Sequence, residues 1–115
     1  VGWPSPPTPE KHLQVLKASC TSVLAIDTQT DQVVGFVNAI SDGIMAAYLP
    51  LLEVLPEYQK RGIGRELLQR ILAELGDLYM VDLMTDTHLV GLYEKFGFRL
   101  GVGMYIRNMG RQACG

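Results

Sequence analysis

An apolar run ends at Val54-Leu55, and a polar turn follows, Pro56-Glu57-Tyr58-Gln59-Lys60-Arg61. Gly62-Ile63-Gly64 then heads a strongly periodic segment in which Ile63, Leu67, Ile71 and Leu75 recur every four residues, with Leu68 and Leu72 widening the stripe. This spacing predicts a helix from Gly62 to about Leu75 with one face on a core. Glu66 and Arg70 pair at i, i+4 on its wet side, and Gly76 is a natural stop. A strand that runs through a glycine turn into such a helix presents bare backbone N–H groups at a positive helix end, an arrangement that suits a phosphate. Gly62 and Gly64 remove side chains where a ligand would approach, and Lys60, Arg61 and Arg65 add positive charge. From spacing alone, a plain strand–loop–helix connection explains the glycines equally well. The pattern is not the dinucleotide fingerprint, which needs a third glycine, nor a P-loop, which needs Gly-Lys-Ser/Thr.

The rest of the 115 residues read as one domain around that segment. Thr8-Pro9-Glu10 opens a short helix, roughly Pro9 to Ala18, after a proline-rich lead-in. Val23–Ile26 and Val33–Ile40 form a hairpin about the polar turn Asp27–Gln32. Ser41-Asp42-Gly43 is a second tight turn, and Ile44 to Val54 returns as a long third strand. Pro50 cannot donate to a ladder, so a bulge or break is expected at Pro50–Leu52. Leu78–Leu83 is a buried strand. Asp86 or Thr85 caps a last helix, about Thr87 to Phe96, which Gly97 ends while Phe98 folds back on it. Val102 to Arg107 is a final strand. The order α-β-β-β-α-β-α-β predicts an α+β domain with a mixed sheet, antiparallel early and parallel around the central helix.

Composition excludes several classes of function. A formal net charge of −2, with no long Lys/Arg block, argues against broad nucleic-acid binding. No apolar run reaches the ~18–20 residues of a membrane span, and no signal-peptide pattern is visible. Cys20 and Cys114 are far apart and lack CxxC spacing, which fits free thiols in a reducing, cytoplasmic setting. His12 and His88 read as solvated. No His/Cys/Asp cluster has metal-ligand spacing, so no metal is expected.

The turn resembles the acetyl-CoA signature of the GCN5-related N-acetyltransferase (GNAT) superfamily, Arg/Gln-x-x-Gly-x-Gly/Ala. The match lies at Gln59, Gly62 and Gly64, after a Val-x-Pro-x-Tyr lead-in at Val54, Pro56 and Tyr58. A second block, Leu92-Tyr93-Glu94-Lys95-Phe96-Gly97-Phe98, is similar to the family's later Tyr-Glu-Lys-x-Gly-Phe motif. The resemblance implies a GNAT-like sheet with a splayed parallel pair, flanked by helices, and here without a visible first strand. It also implies an acetyl-CoA-dependent N-acetyltransferase in which an amine attacks the thioester directly. The backbone of Leu52, Glu53 and Val54 would pair with the pantetheine arm, and the Leu52 N–H would stabilise the oxyanion. Gln59 through Arg65 (Gln59, Lys60, Arg61, Gly62, Ile63, Gly64, Arg65) would hold the pyrophosphate, mainly by main-chain N–H groups. Tyr93 would be the general acid, since a phenol of pKa ~10 keeps its proton at neutral pH.

Two positions depart from the family pattern. Asp86 stands where many members have an asparagine that helps hold the coenzyme, and it reads as a helix cap. Tyr48 stands where some relatives carry a glutamate base. Glu53 is therefore the candidate base, with Asp42, Asp82 or a water chain as alternatives. The acceptor is an amine, on a small molecule or a protein. A missing first strand would leave a sheet edge open or paired with a neighbour, and so favour a homodimer or aggregation. Two other functions stay open at this point: a non-catalytic acetyl-CoA sensor or interaction domain, and an unrelated small α+β domain whose glycine turn is only structural.

Overall fold

In the computed structural model of this chain, the described residues are 21–108 and Gly110. The expected helix at Pro9–Ala18, His12, Cys20 and Cys114 lie outside them. The described residues fall into two compact units, residues 21–83 and residues 84–108 with Gly110.

The first unit is a mixed sheet with a helix against it. Strand β1 (Thr21–Asp27) and strand β2 (Gln32–Ser41) form the expected hairpin, antiparallel from Thr21↔Ala39 to Asp27↔Gln32, with a bulge between Ala25 and Ile26. The turn closes through Thr30 and Asp31 N–H groups on the Asp27 carbonyl, at 3.2 and 2.7 Å, with Asp31 at φ 58°. The other edge of β2 carries two short strands in succession. β3 (Ala46–Leu49) pairs at Ile40↔Tyr48 and Ser41↔Ala47, and β4 (Leu52–Val54) pairs from Gly35↔Val54 to Val37↔Leu52. The interruption falls at Pro50-Leu51, where the proline predicted it.

Strand β3 begins two residues later than Ile44. The Asp42 carboxylate accepts the N–H groups of Ile44, Met45 and Ala46 through one oxygen, at 2.8, 2.8 and 3.2 Å. These bonds make Asp42–Met45 a loop, because a local carboxylate outcompetes the ladder for those donors.

Helix α1 (Ile63–Leu75) spans the expected range. Its Leu67, Leu68, Ile71 and Leu75 are buried with Val34, Val37 and Ala39 of β2 in the core. The helix lies against β1, β2 and β4. Gly35 permits that approach: a Cβ there would sit 3.0 Å from the Glu53 carbonyl oxygen and 3.3 Å from both Leu67 Cδ1 and Val54 Cγ2. Gly76, at φ 58°, ends α1 with its N–H on the Leu72 carbonyl. Strand β5 (Met80–Leu83) then pairs parallel with β3, from Ala46↔Met80 to Leu49↔Leu83. It is shorter than predicted, and Tyr79 is exposed.

In the second unit the expected helix Thr87–Phe96 is shorter and composite. A 3-10 turn, Thr87–Leu89, leads into helix α2 (Val90–Glu94). Asp86 occupies the N-cap position of the 3-10 turn but makes no side-chain capping bond, so that part of the expectation fails. The C-terminal end is as read. Gly97 at φ 95° donates to the Glu94 carbonyl, and the Phe98 N–H reaches back to the Tyr93 carbonyl at 3.3 Å. This is the paired 5→2 and 6→1 pattern of a left-handed helix stop. The predicted strand Val102–Arg107 is absent. Residues 101–108 have no regular structure, and Val102, Met104 and Ile106 are almost fully exposed. The alternation is present in the sequence, but Gly101 and Gly103 weaken it, and a strand needs a partner ladder.

Candidate functional site

The break between β3 and β4 is held by a buried amide. Asn38 is fully buried in β2. Its backbone N–H donates to the Leu51 carbonyl at 3.2 Å, and its side-chain Oδ1 accepts the Leu51 N–H at 3.1 Å. The side chain thus substitutes for a ladder carbonyl where the strand has left the ladder. The phase of β4 follows from this pair. Antiparallel partners alternate between hydrogen-bonded and non-bonded pairs. Asn38:Leu51 is bonded, and the Leu55 N–H donates to the Val34 carbonyl at 2.8 Å, so Phe36:Glu53 is bonded between them. Leu52 and Val54 occupy the non-bonded pairs with Val37 and Gly35. Their N–H and C=O groups therefore point away from β2, while the main chain of Glu53 points into it. β5 pairs with β3 alone, so the outer edge of β4 has no strand partner among the described residues.

The glycine turn continues directly from β4. Leu55 precedes a 3-10 turn, Pro56–Tyr58. Lys60 (φ 63°) and Gly62 (φ 84°) both take left-handed backbone, and Gly62 is the N-cap of α1. No side chain caps that helix. Its first hydrogen bond runs from Glu66 N–H to the Gly62 carbonyl at 3.0 Å. The amides of Ile63, Gly64 and Arg65 therefore have no intrahelical acceptor. A Cβ on Gly64 would stand 4.0 Å from Val54 Cγ2, which shows how closely the helix start lies beside β4. Lys60, Arg61 and Arg65 are exposed around these donors. Gln59, also exposed, folds back on the strand: its Nε2 donates to the outward-facing Val54 carbonyl at 2.9 Å and clips the turn to it.

A second tie was missed in the sequence. The Tyr58 hydroxyl donates to Asp27 Oδ2 at 2.7 Å, and the Arg61 guanidinium lies 5.2 Å from the centre of the Tyr58 ring. The hydrogen bond from Tyr58 holds the Asp27 carboxyl below its usual range, and the same bond raises the Tyr58 phenol. Asp27 ends β1 and Tyr58 lies 31 positions on, so no local motif joins them. Asn38 also went unread, although it is the one polar residue in the stretch Val33–Ile40.

Tyr93 belongs to the second unit, where it is buried at 8 % exposure. Its ring meets Phe98 edge-on at 5.8 Å between centroids, a contact made by the Gly97 stop. Burial raises the phenol pKa, and a hydrogen bond with Thr85 pulls it the other way. The net direction is upward, so the phenol is protonated at neutral pH.

Among the candidate bases, Asp42 holds three backbone donors on Oδ1, and these depress its pKa. Glu53 has its side chain on the sheet face away from α1, since Val54, its neighbour in the pleat, faces the helix. Asp82 is exposed and lies in register with Tyr48. His88 is exposed. Among the described residues, no group of His, Cys, Asp and Glu is placed to hold a metal ion, and no helix is long and apolar enough to cross a membrane.

A protein from Deinococcus radiodurans R1 assigned as an acetyltransferase superposes with a TM-score of 0.90 at 49% identity, over 97% of this chain and 78% of that one. The GNAT family acetyltransferase SP0256 from Streptococcus pneumoniae TIGR4 gives a TM-score of 0.75 at 34% identity, over 94% and 83%. The uncharacterized N-acetyltransferase ycf52 of Gracilaria tenuistipitata var. liui is 26% identical over 101 residues. That alignment takes in 85% of this chain, which spans about half, 56%, of that curated relative. A family model for the acetyltransferase (GNAT) domain matches residues 18–100, a range that includes both the glycine turn and the Tyr93 block. By that match, and by a mixed sheet whose extended run is interrupted at Pro50-Leu51, the chain belongs to the GCN5-related N-acetyltransferase superfamily.

Proposed function

We propose that this chain is an acetyl-CoA-dependent N-acetyltransferase that transfers an acetyl group to an amine by direct attack on the thioester. One observation carries the reading: β4, whose outer edge has no strand partner among the described residues, leads within one turn to a helix start with no side-chain cap. That edge supplies directional donors and acceptors for an amide-containing arm. The helix start supplies amides for a diphosphate. Acetyl-CoA would bring the acetyl thioester to this edge.

The residues divide the work by chemistry. Leu52 N–H, turned away from β2, donates toward the thioester carbonyl oxygen, where a fixed dipole costs no reorganisation. The outer N–H and C=O of Leu52 and the outer N–H of Val54 orient the arm, while the Val54 carbonyl is engaged by Gln59. Glu53 adds no main-chain bond, because its backbone faces Phe36. The amides of Ile63, Gly64 and Arg65 hold phosphate oxygens, and Lys60, Arg61 and Arg65 supply charge. Tyr93, protonated in its buried setting, gives its proton to the departing thiolate. Glu53 is the base proposed for the acceptor amine, and its carboxylate has no hydrogen-bond or ion-pair partner among the described residues. The acceptor is a small-molecule or protein amine, and the setting is the reducing cytoplasm.

Calorimetry with acetyl-CoA, followed by thiol release across a panel of amines, tests the reading. Saturable binding and amine-dependent thiol release are expected. No heat and no thermal shift at millimolar coenzyme would end it. Tyr93→Phe should bind acetyl-CoA as the wild type does and turn over at least about tenfold more slowly. An unchanged rate would remove Tyr93 as the acid.

A further inference from the structure

The glycine turn is exposed, contains two left-handed residues, and has no side-chain cap. Such a segment, left to itself, would sample many conformations, and each would cost affinity when a ligand selects one. Two ties restrain it. The Gln59 clip to the Val54 carbonyl is one. The other is longer and reaches outside the turn, from Asp27 at the end of β1, through Tyr58, to Arg61.

Each link has a definite geometry. The Asp27 carboxylate is fixed at both oxygens: Oδ1 accepts the Gln29 N–H at 2.9 Å, and Oδ2 accepts the Tyr58 hydroxyl at 2.7 Å. The phenol is therefore anchored to the hairpin. The anchored ring in turn lies 5.2 Å from the Arg61 guanidinium, inside the ~6 Å range of a cation–π contact. Arg61 directly precedes Gly62, the N-cap of α1. An arginine side chain has many rotamers, so holding it beforehand reduces what an anion must order on arrival.

We infer that Asp27 and Tyr58 are positioning residues, which hold Arg61 beside the amides of α1 and so set affinity for the phosphates of an acyl coenzyme. The inference rests on the coenzyme reading above. It also makes a claim that charge alone reverses. Asp27 is an anion near a site for anions, so removing its charge should strengthen phosphate binding if only the field mattered. Removing a positioning group should weaken it.

The test is calorimetry with acetyl-CoA on wild type, Asp27→Ala, Tyr58→Phe, Arg61→Ala and the two doubles that include Arg61→Ala. Steady-state kinetics and melting temperatures are measured beside it. Tyr58→Phe keeps the ring and loses only the hydroxyl, which separates anchoring from packing. Asp27→Ala and Tyr58→Phe should each weaken binding about threefold, and Arg61→Ala about tenfold. In the Arg61→Ala background the other two should add less than about 1.5-fold, because groups acting through one partner are not additive. KM for acetyl-CoA should rise and kcat should hold. Equal or tighter binding by Asp27→Ala and Tyr58→Phe, or effects that multiply fully with Arg61→Ala, would overturn the inference while leaving the coenzyme reading intact. Failure of the wild type itself to bind acetyl-CoA would overturn both.

Discussion

β3 and β4 are consecutive pieces of one extended run, laid on the same edge of β2, and they differ in what remains of their backbone chemistry. β3 is paired on both sides, by β2 and β5, and its Ala47 and Leu49 are buried. β4 is paired on one side and only half-buried. Two residues, Pro50 and Leu51, separate a strand whose hydrogen bonds are internal from one that still has bonds to offer. The same sheet thus serves as scaffold and as receptor, and the difference lies in topology rather than in residue type.

The comparison can be broken at its junction. Asn38→Ala removes the acceptor for the Leu51 N–H and leaves a cavity, so it should destabilise the protein by about 2–3 kcal/mol in urea unfolding. A loss under 1 kcal/mol would mean that the strands divide without this amide. Next in size is the continuity from β4 into α1. Gly62→Val places a β-branched residue at φ 84°, and should weaken acetyl-CoA binding about 30-fold, roughly 2 kcal/mol. Gly62→Asn should recover most of that, because asparagine tolerates left-handed backbone. Affinity preserved in Gly62→Val would place the cradle elsewhere.

A smaller effect sharpens the contrast from the β2 side. Gly35→Ala drives a methyl group into the Glu53 carbonyl and the Leu67 side chain, and should lower stability by about 1–2 kcal/mol and displace β4 without touching β3. The smallest effect belongs to the start of β3. The three backbone donors on Asp42 depress its folded pKa below that of the unfolded chain. Its contribution is therefore present at neutral pH and lost as pH falls through the folded value. Asp42→Asn should flatten the acid side of the stability profile, as followed by urea midpoints between pH 7 and pH 3. An unchanged acid limb would show that these bonds do not set it.

What the sequence disclosed follows the same division. Pro50 announced the break because a proline lacks the ladder donor wherever it stands. The α1 stripe, Gly62 and the Gly97–Phe98 stop were legible because period and left-handed backbone are local properties. Asn38 went unread as a device, since its partner lies 13 positions away. Asp27 and Tyr58 read as a turn residue and a motif residue, and their bond joins elements that only the fold brings together. Asp42 read as an alternative base, and the sequence did not show that one of its oxygens already holds three backbone donors. The strand expected at Val102–Arg107 had the right alternation, yet alternation describes a face and not a partner.

The Asn38 side chain has one more consequence. By imitating a main-chain carbonyl, it fixes the phase of every residue after it, so solvent meets β4 as an alternation. The Leu51 and Glu53 amide protons are shielded against β2, while those of Leu52 and Val54 are open to deuterium. Isotope exchange along these four residues would run slow, fast, slow, fast, and binding along the outer edge would silence the fast pair alone.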